Sequence, residues 1–324
     1  MLNQTEKYVA LILIAMLSGF FSFAQQNPFW AQHRGSLFIF NPAVAGSRKI
    51  IDARVGYRNQ WVGYEGAPKS MYIAIHGKVL GKGKLGVGGI LLKDEIGPFR
   101  YFSASGAVAY HLRFEDAKLA FGIGGGYQSQ GYFTDKITTQ FQQDPAVNYN
   151  LNERVSNGNF SSGLLYYNDR FYIGMSANNL FSSRFEYYKS DTTRKAVFAQ
   201  VLHYNFALGY NWQLDNSLIW ENSFMASFVS NSPMLADYTL RLHFKERIIA
   251  GFSYRLKSAV AFHLGYTIQN TYQISYSYDI STNSLRNTNG GTHEIKLIFS
   301  SNMFQNDKKN RNKEFQRQHF QYLF

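Results

Sequence analysis

From Ile50 onward the chain alternates apolar and polar positions with a period of two, which is the signature of a β-strand with two different faces. Across 202–212, Leu202, Tyr204, Phe206, Leu208, Tyr210 and Trp212 share one face, against His203, Asn205, Ala207, Gly209 and Asn211 on the other. Tyr238, Leu240, Leu242 and Phe244 repeat the pattern against Asp237, Thr239, Arg241 and His243, as do Ile274, Tyr276, Tyr278 and Ile280 against Gln273, Ser275, Ser277 and Asp279. A helix would scatter these residues around its circumference. The pattern predicts strands near 50–61, 69–79, 84–93, 99–113, 117–129, 158–167, 170–180, 201–213, 217–229, 234–244, 247–256, 259–269, 272–281 and 292–299. Most are close to the length of a tilted strand that crosses a bilayer, roughly 9–11 residues.

The links alternate as well. Short ones follow every second segment: Gly81-Lys82-Gly83, Glu115-Asp116, Asn168-Asp169, Asp215-Asn216, Lys245-Glu246 and Asn270-Thr271. Between them lie 62–68, 94–98, 130–157, 181–200 and 282–291, with 230–233 and 257–258 as shorter exceptions. A soluble sandwich has no reason to alternate in this way. An outer-membrane barrel does, with tight turns in the periplasm and longer loops outside. The expected fold is therefore all-β, a transmembrane antiparallel β-barrel of about fourteen strands spanning 50–299, with periplasmic N- and C-termini.

The two faces differ in chemistry. One is uniformly aliphatic and aromatic, including Trp61, Trp212 and Trp220, and is expected to meet lipid. The other carries Asp52, Arg54, Arg58, Glu221, Asp237, Arg241, Arg255, Asp279, Glu294 and Lys296, charges that hydrocarbon would reject but a lumen tolerates. Their near balance of sign argues for charges paired inside the barrel over a strongly ion-selective pore. Strands three to five are nearly bald on this face: Gly86, Gly88, Ala107, Ala109, Ala120, Gly122, Gly124 and Gly126. Such a wall leaves room for something to pack within, and residues 25–49 either plug the lumen or lie across its periplasmic mouth.

Residues 1–24 read as a secretory signal peptide: Lys7 near the start, an apolar run from Tyr8 to Phe21, and Ser22-Phe23-Ala24 before the expected cleavage. Of the 324 residues, 17% are aromatic and 27 are Gly, as suits a lipid-facing barrel. Mean hydropathy is slightly negative because two opposed faces cancel in it. The absence of Cys excludes disulfide scaffolds, zinc-thiolate sites and cysteine nucleophiles. The net charge of +12 is dispersed, and export makes nucleic acid an unsuitable partner. The segment 300–324 forms a basic tail expected in the periplasm, with Lys308, Lys309, Arg311, Lys313 and Arg317. It reads either as a contact for peptidoglycan or a periplasmic protein, or as a solvated extension.

Candidate catalytic chemistry is sparse. His203, His243 and His263 fall on the lumen face near Asp237, where a His/Asp pair could act as a general base. Polar neighbours are expected in any lumen, however, and no HExxH spacing is present. Gly122-Ile123-Gly124-Gly125-Gly126 is a strand with a bald face, since no helix follows it as a phosphate loop requires. The expectation is a non-enzymatic protein with no cofactor or metal.

Phe38-Ile39-Phe40-Asn41-Pro42-Ala43-Val44-Ala45-Gly46-Ser47 resembles the PorP/SprF family of Bacteroidetes outer-membrane proteins, whose members carry an aromatic stretch, then Asn-Pro-Ala, an aromatic and Ala-Gly. The resemblance extends to Tyr57-Arg58-Asn59-Gln60-Trp61, Gly66-Ala67-Pro68, the run from Tyr167 to Gly174, Asn178-Asn179-Leu180 and Gly291-Thr292-His293-Glu294-Ile295. It covers about 26–299. Val44 departs from the family's usual aromatic, and the 300–324 tail exceeds the family's usual end. Barrel construction explains any one of these residues equally well. The resemblance implies a role in type IX secretion: supporting export, gliding motility among its uses, and retaining at the cell surface a protein or adhesin that bears a C-terminal sorting domain. Implied partners are the outer-membrane bilayer, that secreted protein and other type IX components. The loops 130–157 and 181–200 are the candidate contact surfaces, through Gln140, Phe141, Tyr149, Arg184, Tyr187 and Tyr188. The alternative is an outer-membrane channel for small solutes.

Overall fold

The computed structural model describes residues 28–48, 51–79, 84–133, 152–181, 184–187, 196–230, 232–245, 247–269 and 271–301. Fourteen antiparallel strands close into a barrel. They are β1 (Ile51–Asn59), β2 (Lys69–Lys78), β3 (Leu85–Ile96), β4 (Phe99–Arg113), β5 (Lys118–Phe133), β6 (Asn152–Tyr167) and β7 (Phe171–Asn178), followed by β10 (His203–Gln213), β11 (Leu218–Val229), β12 (Leu235–Phe244), β13 (Ile248–Arg255), β14 (Ala259–Ile268), β15 (Tyr272–Ser281) and β16 (Thr292–Ser301). Between β7 and β10, β8 (Arg184–Tyr187) and β9 (Ala196–Ala199) form a separate two-stranded sheet. Consecutive barrel strands pair, β7 pairs with β10, and β1 closes on β16 from Ile51↔Ser301 to Asn59↔His293. Among the described residues no helix is long and apolar enough to cross a membrane.

Period-two patterning sets which face turns outward. The outer face is exposed and aliphatic at mid-height, with Ile75, Val87, Ile123, Leu208, Leu264 and Leu297. Aromatic belts flank it, for example Tyr110, Trp212, Trp220 and Tyr272 at the end with the short turns, and Tyr57, Tyr204, Phe228 and Tyr254 at the other. Such belts mark the two interfaces of a bilayer. The inward residues alternate with these and are buried.

Three strands run further than the alternation of residue types suggests. β3 continues through Lys93-Asp94-Glu95 to Ile96, so the expected link 94–98 reduces to the turn Gly97-Pro98. Lys93↔Phe102 and Glu95↔Arg100 keep the ladder intact, because charged side chains cost nothing once a strand has left the hydrocarbon. β5 and β6 likewise pair out to Phe133↔Asn152, leaving 134–151 as the connection in place of 130–157. Gln140, Phe141, Tyr149 and Tyr188 lie outside the described residues, as do 1–27 and 302–324.

Residues 28–48 lie inside the barrel. They form one 3-10 turn at His33–Ser36, a helical turn at Leu37–Phe40 and a second 3-10 turn at Pro42–Val44. Pro42 sits where a helical start needs no N–H, and the Asn41 side chain caps that turn by accepting from Ala43 N at 2.9 Å. Ser47 and Arg48 sit near the start of β1, where Arg48 Nη1 meets Asp52 at 2.7 Å. Pro28 and Phe29 lie instead beside His203, Val229 and Leu235, at the opposite, loop end. The start of β1 and the end of β16 lie together at the turn end, but the chain ahead of β1 runs the length of the lumen from the loop end.

Candidate functional site

The motif Asn41-Pro42-Ala43-Val44-Ala45-Gly46 packs the second half of the plug, 37–48, against the bald wall. Asn41 Nδ2 donates to the carbonyls of Leu164 at 2.9 Å and Met175 at 3.2 Å, reaching two neighbouring strands at once. Ser176 Oγ and Asn178 Nδ2 donate to the Phe40 carbonyl at 2.7 and 2.9 Å. His111 Nε2 lies 2.8 Å from the Ala45 carbonyl, and Tyr167 hydroxyl donates to the Ser47 carbonyl at 3.3 Å. Four lumen glycines make the fit. A Cβ on Gly86 would strike the backbone of Ala45 and Gly46, one on Gly122 the backbone of Ala43, one on Gly163 the Asn41 side chain and one on Gly88 the Phe38 ring. Gly46 itself has φ of +68°, a conformation that suits glycine.

The first half, residues 28–36, faces the charged wall, from Glu294 and Asp237 near the loop end to Glu221 and Asn211 near the turn end. Glu294 accepts from Ala31 N at 2.8 Å and Gln32 N at 3.1 Å, and Lys296 Nζ donates to the Gln32 carbonyl at 2.9 Å. Arg54 reaches the Gly35 carbonyl as well as Asp52. Arg34 lies 3.3 Å from Glu221 and donates to Asn211 Oδ1 at 2.7 Å. Ser36 and Tyr72 hydroxyls are 2.7 Å apart, and Trp30 packs edge-on against Tyr72. His33 Nδ1 is 3.5 Å from Asp237.

The structure gathers most of the sequence-predicted lumen charges into separate clusters of ion pairs. Arg58 joins Glu294 at 3.0 Å and Asp279 at 2.8 Å; Arg255 meets Asp237 at 3.3 Å and Asp279 at 3.5 Å; Arg241 meets Glu221 at 2.5 Å. The three histidines are not gathered. His203, His243 and His263 sit on alternate strands; His243 pairs with Glu221 at 2.6 Å and His203 lies 2.9 Å from the Val201 carbonyl. The residue that approaches Asp237 is His33 of the plug, which sequence reasoning missed along with Arg34, Trp30 and the inward Tyr72, His76 and His111. The signal was the His33-Arg34 pair inside an otherwise apolar stretch.

At the loop end, the remaining motif residues tie the connections together. Tyr57 faces outward into the aromatic belt, while Trp61, with φ of +49°, turns the chain and donates its N–H to Thr292 Oγ1 at 3.1 Å. Val62 N and Gly290 N exchange bonds with Gly291 O and Val62 O, at 2.8 and 2.7 Å. Asn179 Nδ2 donates to the Val201 carbonyl at 3.2 Å, and Gln200 Nε2 to Gln128 Oε1 at 2.9 Å, so the connection that carries β8 and β9 is fixed at both feet. Arg184 and Tyr187 pair through their backbones with Ala199 and Ala196. A small cavity of about 80 Å³ remains between the plug and strands β3 to β7, lined by Phe38, Phe40, Leu92, Tyr101, Asn159 and Asn178 among others.

The sequence model of a family described as type IX secretion system membrane protein PorP/SprF matches residues 22–299. No curated protein matches the chain. Similar solved structures include the CymD monoaromatic hydrocarbon channel, 10% identical, covering 87% of this chain and 94% of that one with a TM-score of 0.49. The Ralstonia pickettii toluene transporter TbuX is 9% identical over 82% and 92%, TM-score 0.48, and the Acinetobacter baumannii outer membrane protein Omp33 is 7% identical over 78% and 98%, TM-score 0.45.

Proposed function

Because the chain belongs to the PorP/SprF family of type IX secretion system membrane proteins, an outer-membrane barrel, we propose that it supports export of a surface protein or adhesin and retains it at the cell surface. The role is non-enzymatic, and the secreted partner carries a C-terminal sorting domain. Residues 1–24 are removed on export, the turn end faces the periplasm together with the 300–324 tail, and the loop end faces outward.

The observation that favours retention over conduction is the filled lumen. Residues 28–48 meet the wall from Glu294 and Asp237 at the loop end to Gly86 and His111 at the turn end. A solute channel of this strand number would need that space. The connection between β7 and β10 supplies an outer surface, since β8 and β9 form a sheet of their own beside β6 while Asn179 and Gln200 fix the feet of the connection. Excising 184–199 tests the reading. The barrel is expected to keep its heat-modifiable gel migration, because shortening a surface loop costs little. Partner protein is expected to disappear from the cell surface and appear in the medium. Unchanged surface protein together with altered solute uptake would replace retention with the channel reading.

A further inference from the structure

The plug is made of two unlike halves. The second half, 37–48, is held by hydrogen bonds from Asn41, Ser176, Asn178 and Tyr167 and, in addition, by backbone-to-backbone contact with the wall, where even a Cβ at Gly86 or Gly122 has no room. Contacts this close cannot be opened gradually, because interiors packed to this density lose their attraction with the first small displacement. The first half, 28–36, is held by charge and hydrogen bonds, from Glu294, Lys296, Arg54 and Glu221. Its interface is incompletely matched. Trp30 Nε1, Gln32 Nε2 and His33 Nε2 on the plug make no protein hydrogen bond among the described residues. Neither do the hydroxyls of Ser253, Ser275 and Ser277 or both ring nitrogens of His263 on the wall. Groups of this kind gain by meeting water, whereas the second half, with Ser47 Oγ as its own unmatched hydroxyl, would expose mostly apolar surface.

We propose that residues 28–36 form an ionic latch that releases from the charged wall while residues 37–48 stay seated as its anchor, opening a hydrated path beside β11 to β16 without unplugging the barrel. Arg34 is the releasing contact. Its acceptor Glu221 keeps Arg241 and His243 when Arg34 leaves, so the wall stays neutralised in both positions. The same holds at Glu294, which retains Arg58 after Ala31 N and Gln32 N depart. Gly35 gives the latch its pivot side: the groups crowding it are the flexible ends of Lys296 and Arg54, not backbone.

The test uses the full chain, which contains no cysteine, folded in lipid vesicles. Ala31→Cys and Ala43→Cys place one thiol in each half at positions that are both 0% exposed. With N-ethylmaleimide as probe, the thiol at 31 is expected to react at least roughly tenfold faster than that at 43, because it is reached by local opening. Adding Arg34→Gln is expected to accelerate position 31 further and leave position 43 unchanged, with heat-modifiable migration as the check that the barrel is folded. Equal rates at the two positions would mean that the plug moves as one body, and would overturn the proposal. So would a rate at 31 that Arg34→Gln does not raise. Should Arg34→Gln fail to fold, Glu294→Gln in the same cysteine background decides the ionic part by the same criterion.

Discussion

A barrel that is filled rather than hollow depends on single atoms at the wall. Gly122 shows this most directly, since its missing side chain is where Ala43 lies. Gly122→Leu forces the plug or the strand to move, and overpacking of this kind costs about 1–3 kcal/mol. The expected result is a lower urea midpoint for unfolding from vesicles. Gly89→Ala is the control, for the nearest atom to its Cβ would be the Ser105 carbonyl at 3.7 Å, and no change is expected. Arg58 makes the opposite case, a charge the lumen cannot lose. It bridges Glu294 and Asp279, and all three are buried. Arg58→Met leaves two carboxylates without their shared cation, a loss on the order of 3–5 kcal/mol. Arg58→Lys is expected to recover only part of it, since an ammonium cannot present the two nitrogens that reach separate acceptors. Both are read as shifts of the same unfolding midpoint, and equal stability of wild type and Arg58→Met would remove the network from the account.

At the scale of the strand, the two faces of β10 make a contrast. Leu208 is 40% exposed on the outer face, and Arg there costs about 2–4 kcal/mol at mid-membrane. Leu208→Arg is expected to abolish the heat-modifiable band. Asn205 faces inward beside Pro28, Phe29 and Phe40, so Asn205→Arg is expected to leave the band and disturb the outer end of the plug. Loss of the band in both would mean that barrel assembly requires the seated plug. The contrast could be drawn from sequence because period two survives wherever one face meets lipid, and all fourteen barrel strands were legible for that reason. The ends of β3, β5 and β6 were not, since Lys93-Asp94-Glu95 and the Gln- and Asn-rich stretches near 130 and 155 lie beyond the lipid and carry no alternation. The wall charges could be read, but their pairing could not: Arg58 and Glu294 are 236 residues apart and meet only because β1 closes on β16. For residues 28–48 the bald wall and the His33-Arg34 pair were the notice available, because the segment is a series of single turns with no period to detect.

For the whole molecule, the asymmetry of the two ends carries the functional argument. The turn end is closed by links such as 114–117, 168–170 and 214–217, whereas the other bears the tied loops around Val62 and Gly290 and the β8–β9 hairpin. Barrels of this class insert with short turns inward and loops outward. A chain that retains a surface partner must therefore present Tyr64 and Thr288 to the medium, and Asp169 and Asn216 to the periplasm. All four are exposed, and the chain offers no competing thiol. Tyr64→Cys and Thr288→Cys are expected to react with a membrane-impermeant maleimide on intact cells. Asp169→Cys and Asn216→Cys are expected to react only after the outer membrane is permeabilised. The opposite pattern would place β8 and β9 in the periplasm. Any partner lost by excising 184–199 would then be a periplasmic one, and surface retention through these loops would be ruled out even if secretion failed.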